Sequence, residues 1–173
     1  MALKNFREMV DMEKLKDINA TISSGTGDQF VTFTLGNEEY GVEILKVQEI
    51  IGYQGFTKIP NVPPFVKGVL NLRGSVVPVI DLRLKFGMPE KEYDKFTVIL
   101  ILEVAGRIIG TIVDAVSDVV TLTEDEMQPT PDFSSGIRTD FISGMGRKDD
   151  KLIILLDIDK VLSDGELELL DVA

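Results

Sequence analysis

A chain of 173 residues has room for one domain or two very small ones. With 44% apolar residues and a net charge of −11, it can build a packed core, and it offers little of the basic surface that a phosphate backbone selects. There is no Cys and no His, which excludes disulfides, thiolate metal sites, the thiol nucleophile and the commonest general base.

Residues 1–18 set Leu3, Phe6, Val10, Leu15 and Ile18 at roughly helical intervals. Residues 19–28, NATISSGTGD, form a Ser/Gly/Thr-rich linker, so the first 27 residues read as a frayed, partly helical tail rather than a docking helix. No apolar run reaches the roughly 18 residues of a membrane span, and no apolar signal core is present at the N-terminus, so a cytoplasmic protein is expected.

From Phe30 the period changes to two: Val31, Phe33 and Leu35 face one way, and Phe30, Thr32 and Thr34 the other. Gly36-Asn37 predicts a hairpin into Tyr40–Ile44, and Ile44, Val47 and Ile50 then recur every third residue, as in a tight helical turn. Pro64 suits the start of a short helix through Phe65 and Val66. Strands follow at Val69–Leu72 and Val76–Leu82, around the turn Arg73-Gly74-Ser75. VILIL at 98–102 leads through Gly106-Arg107 to Ile108–Val113, a second hairpin. Residues 123–140 predict a long polar loop, and 152–156 a last strand. Ser163 with Glu166 is a capping-box pattern opening a C-terminal helix over 163–173.

The order of these elements repeats. Gly41, Ile44, Val47, Glu49 and Ile50 match Gly110, Val113, Val116, Asp118 and Val119 at an offset of 69. Gly68, Val69, Val79, Ile80, Asp81 and Leu82 match Gly144, Met145, Leu155, Leu156, Asp157 and Ile158 at an offset of 76. Strands such as VILIL and LIILL are apolar on both faces, so each unit must bury one face within itself and the other against its twin. The expected fold is all-β: two small closed barrels packed on one another, with a seam between them.

Candidate chemistry is sparse. The acids Asp157/Asp159, Asp149/Asp150 and Glu124–Glu126 lack metal-loop spacing and read as solvated carboxylates. Gly144-x-Gly146 and Gly25-x-Gly27 read as plain turns. No catalytic residue, cofactor or metal ligand is assigned. Arg73, held in a turn between apolar strands, is a candidate fork for a partner's carboxylate or an internal bridge to Glu49. Ile44, Val47, Val98 and Val116 are core candidates individually; the equivalence of Val47 with Val116 and of Ile44 with Val113 puts them at the seam.

The blocks FTLGNEEYGVEILKVQEI (33–50), VKGVLNLRGSVVPVIDLR (66–83) and GTIVDAVSDV (110–119) resemble the CheW family of chemotaxis coupling proteins, from about residue 28 to the C-terminal helix. The resemblance implies two SH3-like five-stranded β-barrels around a shared hydrophobic core. The first spans about 28–92 and the second about 93–162, with strand exchange between them left open. It implies a non-catalytic cytoplasmic adaptor, recruited to membrane-associated receptor arrays without inserting into the bilayer. Its partners would be the cytoplasmic tips of methyl-accepting chemotaxis receptors and the regulatory domain of the histidine kinase CheA. Carried over residue by residue, it assigns Ile44, Val47, Glu49, Val98 and Val116 to a receptor-binding groove, and Arg73 and Gly68 to kinase coupling. The alternatives are a CheW-like module of a larger scaffold, a carboxylate enzyme on a β-barrel, and a small-ligand barrel; a large internal pocket lined by polar groups would favour the last two.

Overall fold

The computed structural model describes residues 13–130 and 140–170. Two sheets account for most of it. The strands are β1 (Gln29–Leu35), β2 (Glu38–Glu43), β3 (Val47–Gly52), β4 (Val66–Leu72), β5 (Ser75–Asp81), β6 (Val98–Val104), β7 (Arg107–Val113), β8 (Ala115–Thr121), β9 (Met127–Gln128), β10 (Ile142–Lys148) and β11 (Lys151–Leu156). The helices are α1 (residues 13–22), α2 (Leu82–Lys85) and α3 (Asp164–Leu169). Leu3, Phe6 and Val10, and the loop's Pro131, lie outside the described residues.

The sequence repeat is a structural repeat, down to its irregularities. The β3–β6 ladder skips Gln48, and the β1–β8 ladder skips Ser117, its equivalent. The β4–β5 ladder skips Lys67, and the β10–β11 ladder skips the equivalent Ser143. Such bulges bend a strand and tighten its twist, which a small closed sheet requires.

Neither sheet is built from one repeat. One runs β8-β1-β2-β11-β10-β9 and the other β3-β6-β7-β5-β4. The joins are parallel pairings at equivalent places, Leu155 opposite Gly41 and Val79 opposite Gly110. A boundary near residue 92 therefore separates the repeats and not the sheets, because each repeat lends strands to the other.

Double-faced apolar strands follow from this exchange. On β1, Val31, Phe33 and Leu35 enter a large core between the sheets, where Val98, Leu100, Leu102 and Val104 of β6 join them. The opposite faces fill the two sheet interiors: Phe30 with Leu122, Ile153 and Leu155 in one, and Ile99 and Ile101 with Leu70, Val79 and Ile112 in the other. Each fully buried aliphatic side chain contributes about 1.5–3 kcal/mol.

Each barrel is closed by a short segment beyond its edge strand. Thr57, after β3, exchanges both backbone hydrogen bonds with Val69 of β4, each 2.8 Å. β9, after β8, pairs with β10 at Met145 and Gly146. So the 123–140 stretch is not wholly a loop: Thr123 and Glu126 form a capping box around a 3-10 turn, and β9 follows.

Other local expectations need correction. Residues 13–22 are helical, as the intervals at Leu15 and Ile18 allow, but the helix is docked rather than frayed: Ile18 is buried, and Leu15 and Ile22 pack against the shared core. Pro64 and Phe65 make a turn, with the Val66 amide donating to the Pro63 carbonyl at 2.9 Å, and β4 starts at Val66. Gly144 and Gly146 lie within β10, where the Gln128 carbonyl and the Leu122 side chain crowd the space a Cβ would need. The strand expected to end at Leu82 ends at Asp81, whose carboxylate caps α2 through the Leu84 amide. Its equivalent Asp157 caps the 3-10 turn Ile158–Lys160 in the same way.

The Ile44–Lys46 turn is a 3-10 turn, as the spacing of three predicts. Ser163 and Glu166 form a full capping box opening α3. Arg83 of α2 pairs with Asp114 at 2.6 Å, and Asp114 also accepts the Gly36 amide at 2.8 Å, tying the first hairpin to the β7–β8 corner.

Candidate functional site

Ile44, Val47 and Val98 are buried, with exposures of 1%, 5% and 7%, in the shared core between the sheets. Val116 is half-buried and packs against the same core. The four residues expected at the seam all belong to or pack against this shared core, and three of them are interior, with Val47 and Val98 at opposite ends of the β3–β6 ladder. β3 and β8 are equivalent strands in the two repeats, and each is the edge of its sheet. The seam is thus flanked by two like edges over one apolar core.

Glu49 sits on β3 beside that core with its side chain partly exposed, and Arg73 reaches it from the β4–β5 turn. Arg73 has a positive φ of 48° and Gly74 of 88°, the geometry of a two-residue hairpin turn. The Asn71 side chain locks the turn by accepting the Gly74 amide at 2.9 Å. Both terminal guanidinium nitrogens of Arg73, Nη1 and Nη2, donate to the Glu49 carboxylate. The guanidinium itself is 72% exposed, so the pair adds little to stability and instead fixes where a cation stands. The internal bridge and the exposed fork are one arrangement.

Gly68 makes no such surface. Its φ is +149°, and a Cβ there would lie 2.0 Å from the Thr57 carbonyl oxygen. Gly68 is what lets the closing segment reach β4.

The acids read as solvated carboxylates include structural ones: Asp157 and Glu126 cap turns, as described above, and Asp159 ties elements together. Asp159 pairs with Lys46 at 2.9 Å and accepts the Ala105 amide at 2.8 Å. Burial alone would raise its pKa, but that amide and the Lys46 ammonium outweigh it, and the carboxyl is held below its ordinary value. Among the described residues no group of three or more Asp or Glu is placed to hold a metal ion, and no described helix is long and apolar enough to cross a membrane. The barrel interiors described above are filled with apolar side chains, aliphatic ones and Phe30.

Sequence reasoning missed two surfaces. One groove is lined by Arg73, Val76, Arg107 and Ile108 with Gln48 and Glu49. The other is lined by Asp149, Leu152, Glu38 and Glu39 with Ser117 and Asp118. By the offsets of 76 and 69 these are the same positions of the two repeats. Applying the offsets to exposed residues, and not only to apolar ones, would have found them.

The CheW-like domain family matches residues 29–166. The chain belongs to the CheW family. It is 46% identical over 160 residues to Chemotaxis protein CheW of Klebsiella aerogenes, covering 92% of this chain and 96% of the relative. It is 34% identical over 140 residues to that of Bacillus subtilis, covering 79% and 88%. The crystal structure of the scaffolding protein TtCheW from Thermoanaerobacter tengcongensis superposes with a TM-score of 0.74 at 36% identity, covering 82% of this chain and 96% of that one. The fold is the family's pair of SH3-like barrels, and the protein is a chemotaxis adaptor, not an enzyme.

Proposed function

We propose that this adaptor joins the cytoplasmic tips of methyl-accepting chemoreceptors to the regulatory domain of the histidine kinase CheA, in the cytoplasm, within membrane-associated arrays. The observation that carries the reading is the pair of equivalent edge strands, β3 and β8, over a single apolar core. A receptor helical hairpin lays aliphatic side chains into that seam, a helix-in-groove contact in which Ile44, Val47, Val98 and Val116 form the floor and Glu49 the rim.

The two barrel ends take the kinase. The Val76 end sets Arg73 and Arg107 against one acid, Glu49. The Leu152 end sets Glu38, Glu39, Asp118 and Asp149 against Lys14, Lys148 and Lys151. Opposite charge balance at equivalent ends suits head-to-tail docking of related barrels, and repetition of such contacts closes rings. Arg73, tied to Glu49, lies between the receptor seam and the Val76 end, so movement at one is felt at the other. Gly68 acts on coupling through barrel closure. Each contact need supply only about −8 kcal/mol, roughly micromolar, because linked contacts in an array add avidity.

Binding the receptor hairpin and the kinase regulatory domain separately and together tests this. Simultaneous occupancy is expected; mutual exclusion of the two partners would overturn it.

A further inference from the structure

The seam already has an occupant. Ile18 of α1 is 4% exposed and belongs to the same core cluster as Ile44, Val47 and Val98. Leu15 and Ile22, about one turn to either side, pack against that cluster. The next residue, Asn19, grips β3: its Oδ1 accepts the Ile50 amide at 2.8 Å, and its Nδ2 donates to the Ile50 carbonyl at 2.8 Å. A carboxamide thus makes the pair of bonds that a neighbouring strand would make along a sheet edge.

The other flank of the helix faces β8. Lys14, Asp17 and Thr21 share a groove of about 420 Å³ with Asp118 and Val119. Val119 is the repeat equivalent of Ile50, so α1 bonds to one edge strand and shares a groove with the other at equivalent positions. The chain after the helix continues the cover: Gly25 lies so close to Ile44 that a Cβ there would come within 2.7 Å of that side chain. The deep burial of the seam residues therefore includes cover supplied by residues 13–25.

We infer that α1 is a built-in occupant of the seam, which a partner helix must displace. The partner is an amphipathic helix that replaces what α1 supplies: an aliphatic side chain in the place of Ile18 and an adjacent carboxamide on the main chain of Ile50. This rests on the reading that the seam receives the receptor. The exchange sets an apparent affinity lowered by the fraction of molecules with α1 undocked. Weakening α1 tightens partner binding, and strengthening it has the opposite effect.

The test uses the full chain and a recombinant chemoreceptor cytoplasmic hairpin, reading hairpin affinity and amide hydrogen exchange across residues 13–22. Hairpin binding is expected to speed exchange in α1. Asn19→Ala, which removes both bonds to Ile50, should raise affinity about tenfold. Asp17→Ala raises helix propensity and should lower it about twofold, so loss of fold cannot account for both results. If the hairpin binds while α1 stays protected and neither variant changes affinity, α1 is part of the binding surface and the inference fails, with the receptor reading intact. If the hairpin binds none of the three proteins, the receptor reading fails and the inference with it.

Discussion

Val76 and Leu152 hold the same position in the two repeats, the second residue of β5 and of β11, and each leaves 55% of its surface exposed. Their surroundings carry opposite charge, since Arg73 is replaced by Asp149 and Arg107 by Glu38 at the equivalent positions. An exposed aliphatic residue ringed by charge at both ends of a pseudo-symmetric molecule describes two docking anchors of different specificity. Val76→Gln and Leu152→Gln should each weaken one of two contacts with the kinase regulatory domain about tenfold, leaving the melting temperature nearly unchanged. Titration calorimetry on the two variants and their combination checks this; unaltered binding in all three would remove the ends from the kinase interface.

The Arg73–Glu49 pair separates positioning from contact. Arg73→Glu places two acids together on the surface and should reduce receptor-coupled kinase activity without unfolding the protein. Adding Glu49→Arg restores the internal pair with its polarity reversed. Because the guanidinium then stands on β3 and not on the turn, the double variant should recover thermal stability but not coupling. Full recovery of kinase activity would show that the pair only braces the turn.

Barrel closure makes its own prediction. At Gly68 the Thr57 carbonyl occupies the Cβ position, whereas at Gly74, with φ +88°, nothing lies within 4 Å. Gly68→Ala should cost more than about 3 kcal/mol, because the Thr57–Val69 pairing must open, while Gly74→Ala should cost only about 1 kcal/mol from backbone strain. Denaturant unfolding of the two variants distinguishes these outcomes. Equal losses would mean that the closing segment moves aside freely.

Acid should loosen the junctions between elements. Glu166 joins α3 to α2 through Lys85 at 2.7 Å. Burial works to raise its pKa, and the Lys85 ammonium and the Ser163 amide more than reverse that, so its folded value is depressed, as is that of Asp159. A carboxylate with a depressed folded pKa gives stability that is present above its unfolded value, about 4, and is lost as pH falls through the folded value. Glu166→Gln should therefore melt below the wild type at neutral pH, and the two curves should converge towards about pH 2. A constant gap in melting temperature across that range would show that the ion pair is not the source.

Much of this was legible in the residues because apolar periodicity reports burial directly. VILIL, apolar on both faces, required two cores, and the structure has a sheet interior on one side and the shared core on the other. Which strands share a sheet was not legible. Leu155 and Val79 are both buried aliphatics, and Gly41 and Gly110 are both glycines, so exchanged and unexchanged pairings bury the same chemistry. α1 is legible only in part: the intervals at Leu15 and Ile18 allow a helix, but Asn19 signals a turn by composition, and only the sheet edge at Ile50 gives its carboxamide a partner in a helix. Arg73 and Glu49 were readable as a pair because both stand out as charges beside apolar strands.

The most direct measurement of the central claim is hairpin affinity at the seam for a variant that still folds. Val47 is buried, and a charge there would unfold the protein before it reported on binding. Its equivalent on β8, Val116, is half-buried and tolerates the change better. For Val116→Asp, checked for native melting, affinity for the receptor hairpin should fall at least about tenfold, which is 1.4 kcal/mol, while the kinase contact at the Val76 end, whose groove Val116 does not line, stays as it was. A folded Val116→Asp that binds the hairpin as tightly as the wild type would contradict the account.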